Sequence, residues 1–596
     1  MRELSVPPVT TVAKDANLTD PVWRNAATSP DLVQFARRDG DTWQEVTAAQ
    51  FRNEVVALAK GLIASGIGTG DRVGLMSRTR YEWTLFDYAI WAAGGVVVPI
   101  YDTSSPEQVQ WILSDAGAVA CVVETAGHAR TVAAVRDRLP RLKVTWQIDA
   151  DAVAALTAEG EACDADAVDE RRRSREAADV ATLIYTSGTT GAPKGCVLTH
   201  RNLSSCATNA IPGLHTMFTE GASTLLFLPL AHAFARMIQI GCVEGRATLA
   251  HTADVKNLLT DLASYRPTFL LSVPRVFEKV YNTARQKAHA SGKGGIFDRA
   301  ERVAIGYSES LDNGGPGLAL RLQHRLFDTL VYSKLRDALG GRCGHAISGG
   351  APLGARLAHF YRGIGVTVYE GYGLTETSPA TNVNSETALK IGTVGRPLPG
   401  VTEQIADDGE ILIKGDLVFQ GYWNDKTATA EAIDSDGWFH TGDIGRLDDD
   451  GYLTITGRKK ELIVTAGGKN VAPAVLEDRV RAHPLVSQCV VVGDRRPFVA
   501  ALVTLDEEAL PGWLSEQGMP TDMPLTKACQ DPDVHTAVQA AVDEANQAVS
   551  KAEAIRKFQI LPVDFSIATG HLTPSLKVRR TEVMKEYADE IASIYS

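Results

Sequence analysis

A loop rich in glycine and hydroxyl groups, with one lysine, is the strongest chemical signal in this sequence. It reads Tyr185-Thr-Ser-Gly-Thr-Thr-Gly-Ala-Pro-Lys-Gly195 and follows an apolar run, residues 181–184, that predicts a strand. Glycines permit tight turns and close approach to a ligand, and their N–H groups can cradle an anion. The pattern predicts a phosphate loop without the Walker A ending, and a flexible linker is the alternative. The residues expected at phosphate are Thr186, Ser187, Gly188, Thr189, Thr190, Gly191 and Lys194.

Two further glycine-containing segments suit the rest of a nucleotide. Ser348-Gly-Gly-Ala-Pro-Leu353 follows a strand-like run, and Tyr369-Glu-Gly-Tyr-Gly-Leu-Thr-Glu-Thr377 comes next. Tyr372 offers a flat face for a base, and Thr375 can donate to phosphate. Glu376 is a hard oxygen ligand of the kind that Mg²⁺ takes together with phosphate oxygens. The alternative is a buried strand and turn with a capping Thr/Glu pair. The candidates for nucleotide contact here are Gly349, Gly350, Ala351, Glu370, Gly371, Tyr372, Gly373 and Thr375.

Charged residues stand at turn-like positions in three later segments. These are Trp438-Phe-His-Thr-Gly-Asp443, Gly457-Arg-Lys-Lys-Glu461 and Gly570-His-Leu-Thr-Pro-Ser-Leu-Lys-Val-Arg-Arg580. A carboxylate at the end of a strand-like run, as Asp443 is, can accept hydrogen bonds from ribose hydroxyls. Its alternative role is that of a turn-forming aspartate.

Together these motifs resemble the signature segments of the adenylate-forming (ANL) superfamily, which includes acyl-CoA synthetases, luciferases and peptide-synthetase adenylation domains. The resemblance implies that Asp443 and Arg458 bind ribose, that Lys460 is the hinge residue, and that Lys577 is the catalytic lysine of a mobile loop. Thr375 and Glu376 join it as catalytic candidates, with Glu376 as the Mg²⁺ ligand. Ordinary surface charges are the alternative for the two lysines.

The resemblance also suggests residues for the acyl group and CoA. His232 matches a motif whose histidine or aromatic residue lines the acyl pocket, although a core histidine is equally open. The loop containing Gly467, Gly468 and Lys469 lines the pantetheine tunnel in relatives.

A long, mostly helical stretch between Pro274 and Gly349, and the residues 273–282, resemble long-chain acyl-CoA synthetases of actinobacteria. Leu576 precedes the lysine where many relatives have glycine, and this departure fits the long-chain branch. The implied activity is ATP-dependent conversion of a long-chain fatty acid to acyl-AMP, followed by transfer to CoA. The alternatives are a fatty acyl-AMP ligase that serves a carrier protein, and a non-catalytic ligand-binding homologue.

Bulk composition narrows the class of protein and its partners. The 596 residues, 44% of them hydrophobic, carry a net charge of −12, which argues against nucleic acid as a partner. Eight cysteines without Cys-x-x-Cys spacing suggest reduced thiols in the cytoplasm. The N-terminus has no signal-peptide pattern and residues 88–100 are too short to span a bilayer, so we expect a soluble protein. Peripheral membrane contact, a homodimer as found among relatives, and acetylation of Lys577 by a lysine acetyltransferase remain open.

Helix and strand patterns alternate over residues 46–123, which predicts a parallel sheet covered by helices. Residues 72–76 and 96–100 are predicted strands, and one face of the preceding predicted helix consists of Phe51, Val55, Leu58 and Leu62. Short strands and turns follow residue 391, and the last segment has an α+β pattern. The fold class is α/β, and the resemblance implies a distorted β-barrel subdomain and a small mobile C-terminal domain. We place the N-terminal domain at 1–456, the hinge at 457–461 and the C-terminal domain at 462–596. The basic run at 171–175 is interpreted as a solvated loop, with a membrane or partner role as the alternative.

Overall fold

The structure is a computed structural model that describes residues 1–40, 42–186, 192–253, 257–466, 469–573 and 577–596. The strands are β1 (Glu3–Ser5), β2 (Val33–Asp39), β3 (Thr42–Thr47), β4 (Arg72–Met76), β5 (Val96–Ile100), β6 (Ala120–Val123), β7 (Val144–Gln147), β8 (Val180–Thr186), β9 (Lys194–Thr199), β10 (Ser223–Leu226), β11 (Thr248–His251), β12 (Phe269–Ser272), β13 (His345–Ser348), β14 (Thr367–Tyr372), β15 (Asn382–Val383), β16 (Arg396–Pro397), β17 (Val401–Ile405), β18 (Glu410–Gly415), β19 (Phe439–Leu447), β20 (Leu453–Arg458), β21 (Ile463–Val464), β22 (Asn470–Val471), β23 (Val486–Val492), β24 (Val499–Leu505) and β25 (Ile555–Ile560).

The α-helices alternate with these strands along the chain. They are α1 (Asp20–Thr28), α2 (Ala48–Ala64), α3 (Tyr81–Ala92), α4 (Pro106–Ala116), α5 (Ala126–Ala133), α6 (Ala152–Glu159), α7 (Ala165–Arg173), α8 (His200–Ala210), α9 (Ala233–Gly245), α10 (Leu258–Tyr265), α11 (Pro274–Ala290), α12 (Gly294–Leu311), α13 (Leu318–Phe327), α14 (Ser333–Ala338), α15 (Ala355–Gly363), α16 (Lys426–Ala432), α17 (Pro473–Arg481), α18 (Leu510–Glu516), α19 (Leu525–Ala528), α20 (Pro532–Asn546), α21 (Arg580–Glu586) and α22 (Ala588–Tyr595).

Two large sheets form the framework of the first 400 residues. One has six strands in the order β7-β6-β4-β5-β8-β9, and the other has nine in the order β16-β15-β14-β13-β12-β10-β11-β2-β3. The pairs β4–β5, β4–β6, β5–β8 and β6–β7 are parallel, as predicted from the alternation of helix and strand. Helix α2 begins at a capping box of Thr47 and Gln50. Its predicted inner face, Phe51, Val55, Leu58 and Leu62, is at most 1% exposed.

Three smaller sheets complete the described chain, one of which is the two-stranded pair β21–β22. Strands β1, β17, β18, β19 and β20 form an antiparallel sheet, and β23, β24 and β25 form a three-stranded sheet nearer the C-terminus. The parallel strands of the nine-stranded sheet end on one edge, where ligands of open α/β sheets bind. Among the helices of the described residues, none has the length and apolar run needed to cross a bilayer.

A buried ion pair joins the two large sheets. Asp87 on α3 and Arg236 on α9 are at most 1% exposed. The Arg236 guanidinium donates to both Asp87 oxygens, at 3.1 and 2.5 Å, and to Thr182 Oγ1 at 2.6 Å. Gln239 Nε2 adds a hydrogen bond to Asp87 at 2.9 Å. The cluster fixes α3, which covers one sheet, against α9, which covers the other.

The basic run at 171–175 is not the solvated loop that its charge predicts. It ends helix α7, and Arg172 is 6% exposed. The Arg172 guanidinium donates to Asp20 at 2.6 Å and lies 4.5 Å from the centre of the Trp23 ring. Charge alone was misleading because Arg172 follows buried Val168 by four residues, on the inner face of the helix.

Candidate active site

Strands from two different sheets bring Tyr372, Asp443 and Arg458 together. Tyr372 ends β14, whereas Asp443 and Arg458 are paired residues of β19 and β20. The Tyr372 hydroxyl donates to Asp443 Oδ2 at 2.7 Å, and Arg458 Nε donates to Oδ1 at 2.8 Å. Asp443 is 5% exposed, and its own N–H donates to Thr441 Oγ1 at 3.0 Å. Each carboxylate oxygen keeps a second lone pair for a further donor, such as a sugar hydroxyl.

Glu376 and Lys194 approach a common neighbour, Tyr422. Thr375 and Glu376 lie in a single 3-10 turn just after β14. The Tyr422 hydroxyl donates to Glu376 Oε1 at 2.9 Å, and Lys194 Nζ lies 5.1 Å from the centre of the Tyr422 ring. Lys194 opens β9 and Thr186 ends β8, so both ends of the predicted phosphate loop are anchored in the six-stranded sheet. The loop residues Ser187, Gly188, Thr189, Thr190 and Gly191 lie outside the described residues.

The second glycine turn follows β13 at the same edge of the sheet. Gly349, Gly350 and Ala351 occupy it, and Gly350 has φ +84°, a conformation that favours glycine. At Gly373 a Cβ atom would lie 2.0 Å from the Pro379 carbonyl oxygen, so only glycine fits. Gly371 pairs with Val383 in the antiparallel extension of β14.

Glu370 is a buried carboxylate beside this turn. Its Oε1 accepts a hydrogen bond from the Leu353 N–H at 2.9 Å, and the residue is 9% exposed. Burial raises the pKa of Glu370 to about 7, against the opposing effect of that hydrogen bond. At neutral pH the group can therefore both donate and accept a hydrogen bond.

Lys577 reaches this site from the C-terminal part of the chain. Its N–H donates to Thr573 Oγ1 at 3.0 Å, and a bridge between Leu572 and Val578 closes the loop. Burial lowers the pKa of Lys577, the nearby Arg458 lowers it further, and the carboxylates of Asp443 and Glu376 oppose both. Residue 577 is nevertheless exposed to solvent.

His232 caps helix α9 and lies near Lys577. Its Nδ1 accepts a hydrogen bond from the Phe234 N–H at 3.2 Å. Burial, assisted by the positive charge of Lys577, lowers the pKa of His232 to about 4, so the imidazole is neutral at pH 7. The residue is half-buried rather than sealed in the core.

Contacts between α11 and the segment before α18 hold the C-terminal part against the rest. Arg275 on α11 forms an ion pair with Asp506, and Lys279 Nζ lies 2.5 Å from Glu508 Oε2. Gln286 Nε2 donates to the Ala509 carbonyl at 3.3 Å. Helix α11 belongs to the long helical stretch singled out in the sequence, so this stretch helps to place Lys577.

Among the remaining predicted residues, the structure describes Lys460 and Lys469. Lys460 is exposed in the 3-10 turn that follows β20. Lys469, predicted to line the pantetheine tunnel, has its Nζ 3.4 Å from Glu553 within the C-terminal part. Gly467 and Gly468 lie outside the described residues.

Tyr422 and Thr441 are contact residues that sequence reasoning missed. The segment with Tyr422 forms hydrogen bonds to β9 on one side, and its Phe419 N–H donates to the Glu376 carbonyl at 2.8 Å on the other. In the sequence, the aromatic pair Tyr422-Trp423 after Gly421 was the only feature that marked this segment, and no spacing rule links such a pair to a phosphate loop.

We predict that Tyr422→Phe raises the KM for MgATP several-fold and changes kcat less. The substitution removes the hydroxyl that orients Glu376. A hydrogen bond to a charged group of this kind contributes roughly 1.5–3 kcal/mol of interaction free energy. Steady-state kinetics at varied MgATP tests this, and Tyr452→Phe is the matched control because Tyr452 lies at the edge of the five-stranded sheet, away from Glu376. An unchanged KM for MgATP would show that Tyr422 does not position Glu376.

Comparison with known proteins accounts for this arrangement. The family described as AMP-binding enzyme matches residues 22–423, and its C-terminal domain matches residues 460–596. The chain belongs to the AMP-binding enzyme family. It is 52% identical to a long-chain-fatty-acid–CoA ligase of Mycobacterium bovis, with 100% of both chains covered. It is 33% identical to a long-chain-fatty-acid–CoA ligase of Gallus gallus, over 95% of this chain and 79% of that one.

Solved structures of this family share the fold. A Mycobacterium tuberculosis fatty acyl CoA synthetase superimposes with a TM-score of 0.62 at 24% identity, over 96% of this chain and 99% of that one. An anthranilate CoA ligase in complex with anthranoyl-AMP gives a TM-score of 0.71 at 19% identity, over 96% and 97%. The predicted α/β fold class of the adenylate-forming superfamily is confirmed.

Proposed function

We propose that this enzyme is a long-chain-fatty-acid–CoA ligase. It activates a long-chain fatty acid with ATP to an acyl-adenylate and transfers the acyl group to CoA, which gives acyl-CoA, AMP and diphosphate. One observation carries the chemistry: Lys577 lies close enough to Asp443, Arg458 and Glu376 for their charges to act on its pKa. The 52% identical ligase, matched over its full length, supports the substrate class.

The first half-reaction must bring two anions together. A carboxylate does not react with a thiol at neutral pH, and attack on the α-phosphate of ATP gives it AMP as a leaving group. Such transfers are catalysed by positioning and by electrostatic stabilisation. We assign Lys577 to the reacting carboxylate and the α-phosphate. Lys194 and the loop that begins at Thr186 would bind the outgoing phosphates. The nucleoside would be held by Asp443, Arg458 and Tyr372.

The residues around Glu376 fit a magnesium ion. Over the described ranges there is no group of three or more His, Cys, Asp or Glu side chains that could hold a metal on its own. Mg²⁺ needs no such cage at a nucleotide site, since it takes one or two carboxylates and completes its shell with phosphate oxygens and water. Glu376 would supply that carboxylate, with its orientation set by Tyr422. A bound Mg²⁺ neutralises charge on the phosphates.

The second half-reaction needs Lys577 withdrawn and the thiol admitted. We propose a mobile C-terminal domain, residues 462–596, that rotates on the linker 457–461 about Lys460. The ion pairs of Arg275 with Asp506 and of Lys279 with Glu508 would break in that rotation. Lys469, now paired with Glu553, would then move with its loop toward the bound thiol.

Product analysis tests the function directly. Purified protein with ATP, Mg²⁺, CoA and palmitate is expected to release AMP and diphosphate and to form acyl-CoA. Release of ADP and phosphate would refute adenylation. Acyl-AMP that accumulates although CoA is present would instead indicate a ligase that serves a carrier protein. A panel of acyl chain lengths in the same assay gives the preferred substrate.

Three finer points belong to the same proposal. The exposed Lys577 suits a lysine acetyltransferase, and mass spectrometry that finds it unmodified under all growth conditions would refute this regulation. Light scattering of the purified protein tests the homodimer. The eight free thiols support a cytoplasmic enzyme.

A further inference from the structure

Helix α13 and the π-helical turn that follows it, Asp328–Tyr332, expose a row of leucines. Leu318, Leu322, Leu326 and Leu330 follow one another at intervals of four residues and are 79%, 71%, 58% and 47% exposed. Residues four apart lie on one side of a helix, so these side chains form a continuous apolar strip, here called the leucine face. Exposed leucines are ordinary when scattered, but a contiguous apolar strip marks an interaction surface.

The leucine face is not the packing face of this helix. Phe327 is buried, and His324 stacks on Tyr307 at 3.8 Å and lies 2.6 Å from the Gly363 carbonyl oxygen. At 100° per residue, His324 and Phe327 point to the side opposite Leu322. One side of α13 therefore packs against the core, and the leucines on the other side do not take part in this packing.

Positive charge flanks the leucine face. Arg321 and Arg325 are exposed one residue before Leu322 and Leu326. The carboxylates that flank the leucine face, Asp312 and Asp328, form ion pairs with Arg362 and Arg336. Across the helix a surface groove between α12 and α13 contains two more exposed arginines, Arg299 and Arg302. This basic surface stands out on a chain whose net charge is −12.

We infer that the leucine face is a docking surface for a membrane rich in anionic phospholipid. An amphipathic helix with leucines on one side and arginines at their border lies in the interface of a bilayer, with the apolar chains below the headgroups. Arginines at that depth contact lipid phosphates, and each adds attraction to an anionic surface. The acidic remainder of the protein would be repelled, so docking is confined to this face.

This inference rests on the proposed function, because membrane docking benefits an enzyme whose substrate partitions into bilayers, as long-chain fatty acids do. The leucine face lies on the same helical layer as α11, which contacts α12, which contacts α13. Docking there would place the enzyme at the source of its substrate. The binding itself does not require turnover and can be measured without it.

Vesicle flotation of the full-length protein tests the inference. We expect binding to vesicles of phosphatidylglycerol with phosphatidylcholine, and little binding to phosphatidylcholine alone. The double variant Leu322→Ser/Leu326→Ser is expected to bind at least about ten-fold more weakly, because each leucine loses the transfer of its side chain from water. Arg321→Gln/Arg325→Gln should also weaken binding and make it less sensitive to salt.

Matched controls change the same chemistry elsewhere. Leu259→Ser alters another exposed leucine, and Arg130→Gln/Arg138→Gln removes two exposed arginines far from α13; both should bind vesicles as the parent does. CoA-dependent AMP release from detergent-dispersed fatty acid, and the melting temperature, should be unchanged in all these variants. If the parent protein releases no AMP, the proposed function is refuted, whereas the vesicle-binding result remains valid.

Three results would overturn the inference. The first is that the parent protein does not float with anionic vesicles. The second is that the leucine variant floats as well as the parent. The third is that the parent does not bind vesicles and light scattering shows a dimer for the parent but a monomer for the leucine variant. The last outcome would assign the leucine face to a second copy of the chain.

Discussion

Replacing Lys577 with alanine is expected to lower the rate of acyl-adenylate formation by roughly 100- to 1,000-fold. The reason is that Lys577 supplies a positive charge where a carboxylate and a triphosphate must meet. Burial and the charge of Arg458 lower the pKa of Lys577, whereas the carboxylates of Asp443 and Glu376 favour its charged form. Lys577→Arg should keep part of the rate, since the charge remains but the shape changes.

The two half-reactions are measured separately for this variant. Release of diphosphate in the absence of CoA reports adenylation, and acyl-CoA formed from supplied acyl-adenylate reports the second step. Only the first should fall. Lys585→Ala removes another exposed lysine of the same C-terminal part and serves as the control. Equal losses in both half-reactions would show that Lys577 acts in binding or folding.

The second large effect concerns stability. We expect Asp87→Ala to lower the free energy of unfolding of the N-terminal part by about 3–5 kcal/mol, because the Arg236 guanidinium would remain buried without its partner. Arg236 is 1% exposed, and Thr182 Oγ1 alone cannot neutralise it. Urea unfolding monitored by intrinsic tryptophan fluorescence measures the loss, since Trp91 lies 5.4 Å from the guanidinium.

A surface ion pair gives the contrast. Asp407 pairs with Arg2 at 2.6 Å, with both side chains largely exposed, so Asp407→Ala should cost less than about 1 kcal/mol. The double variant Asp87→Leu/Arg236→Met should recover most of the stability lost by Asp87→Ala, because it removes the orphan charge. If Asp87→Ala proves as mild as Asp407→Ala, the buried pair does not hold the two sheets together.

Local chemistry made much of the fold predictable. Strands β4 and β5 coincide with their predicted residues 72–76 and 96–100, because continuous apolar runs bounded by turns are typical of buried parallel strands. The inner face of α2 followed from a helical period of apolar residues. Family membership followed from motifs whose glycines, hydroxyls and charges each meet a chemical need of a nucleotide site.

Contacts between distant segments were not predictable in this way. Arg172 reads as part of a solvated basic run and is buried, because burial depends on Asp20 and Trp23 from far earlier in the chain. The leucines of α13 repeat as a core-facing row would, yet they face solvent because His324 and Phe327 already pack against the protein. Tyr422 has no recognisable spacing from Glu376.

The sequence by itself determined the family, the fold class and the residue types available for adenylation, because these depend on local pattern and on side-chain chemistry. Only the tertiary structure decided which of those residues meet. It brought Lys577 to Asp443 and Arg458, placed Tyr422 on Glu376, and left Lys469 with Glu553. The physical reason is that long-range contacts depend on how whole sheets and domains pack, and no local window of sequence contains that information.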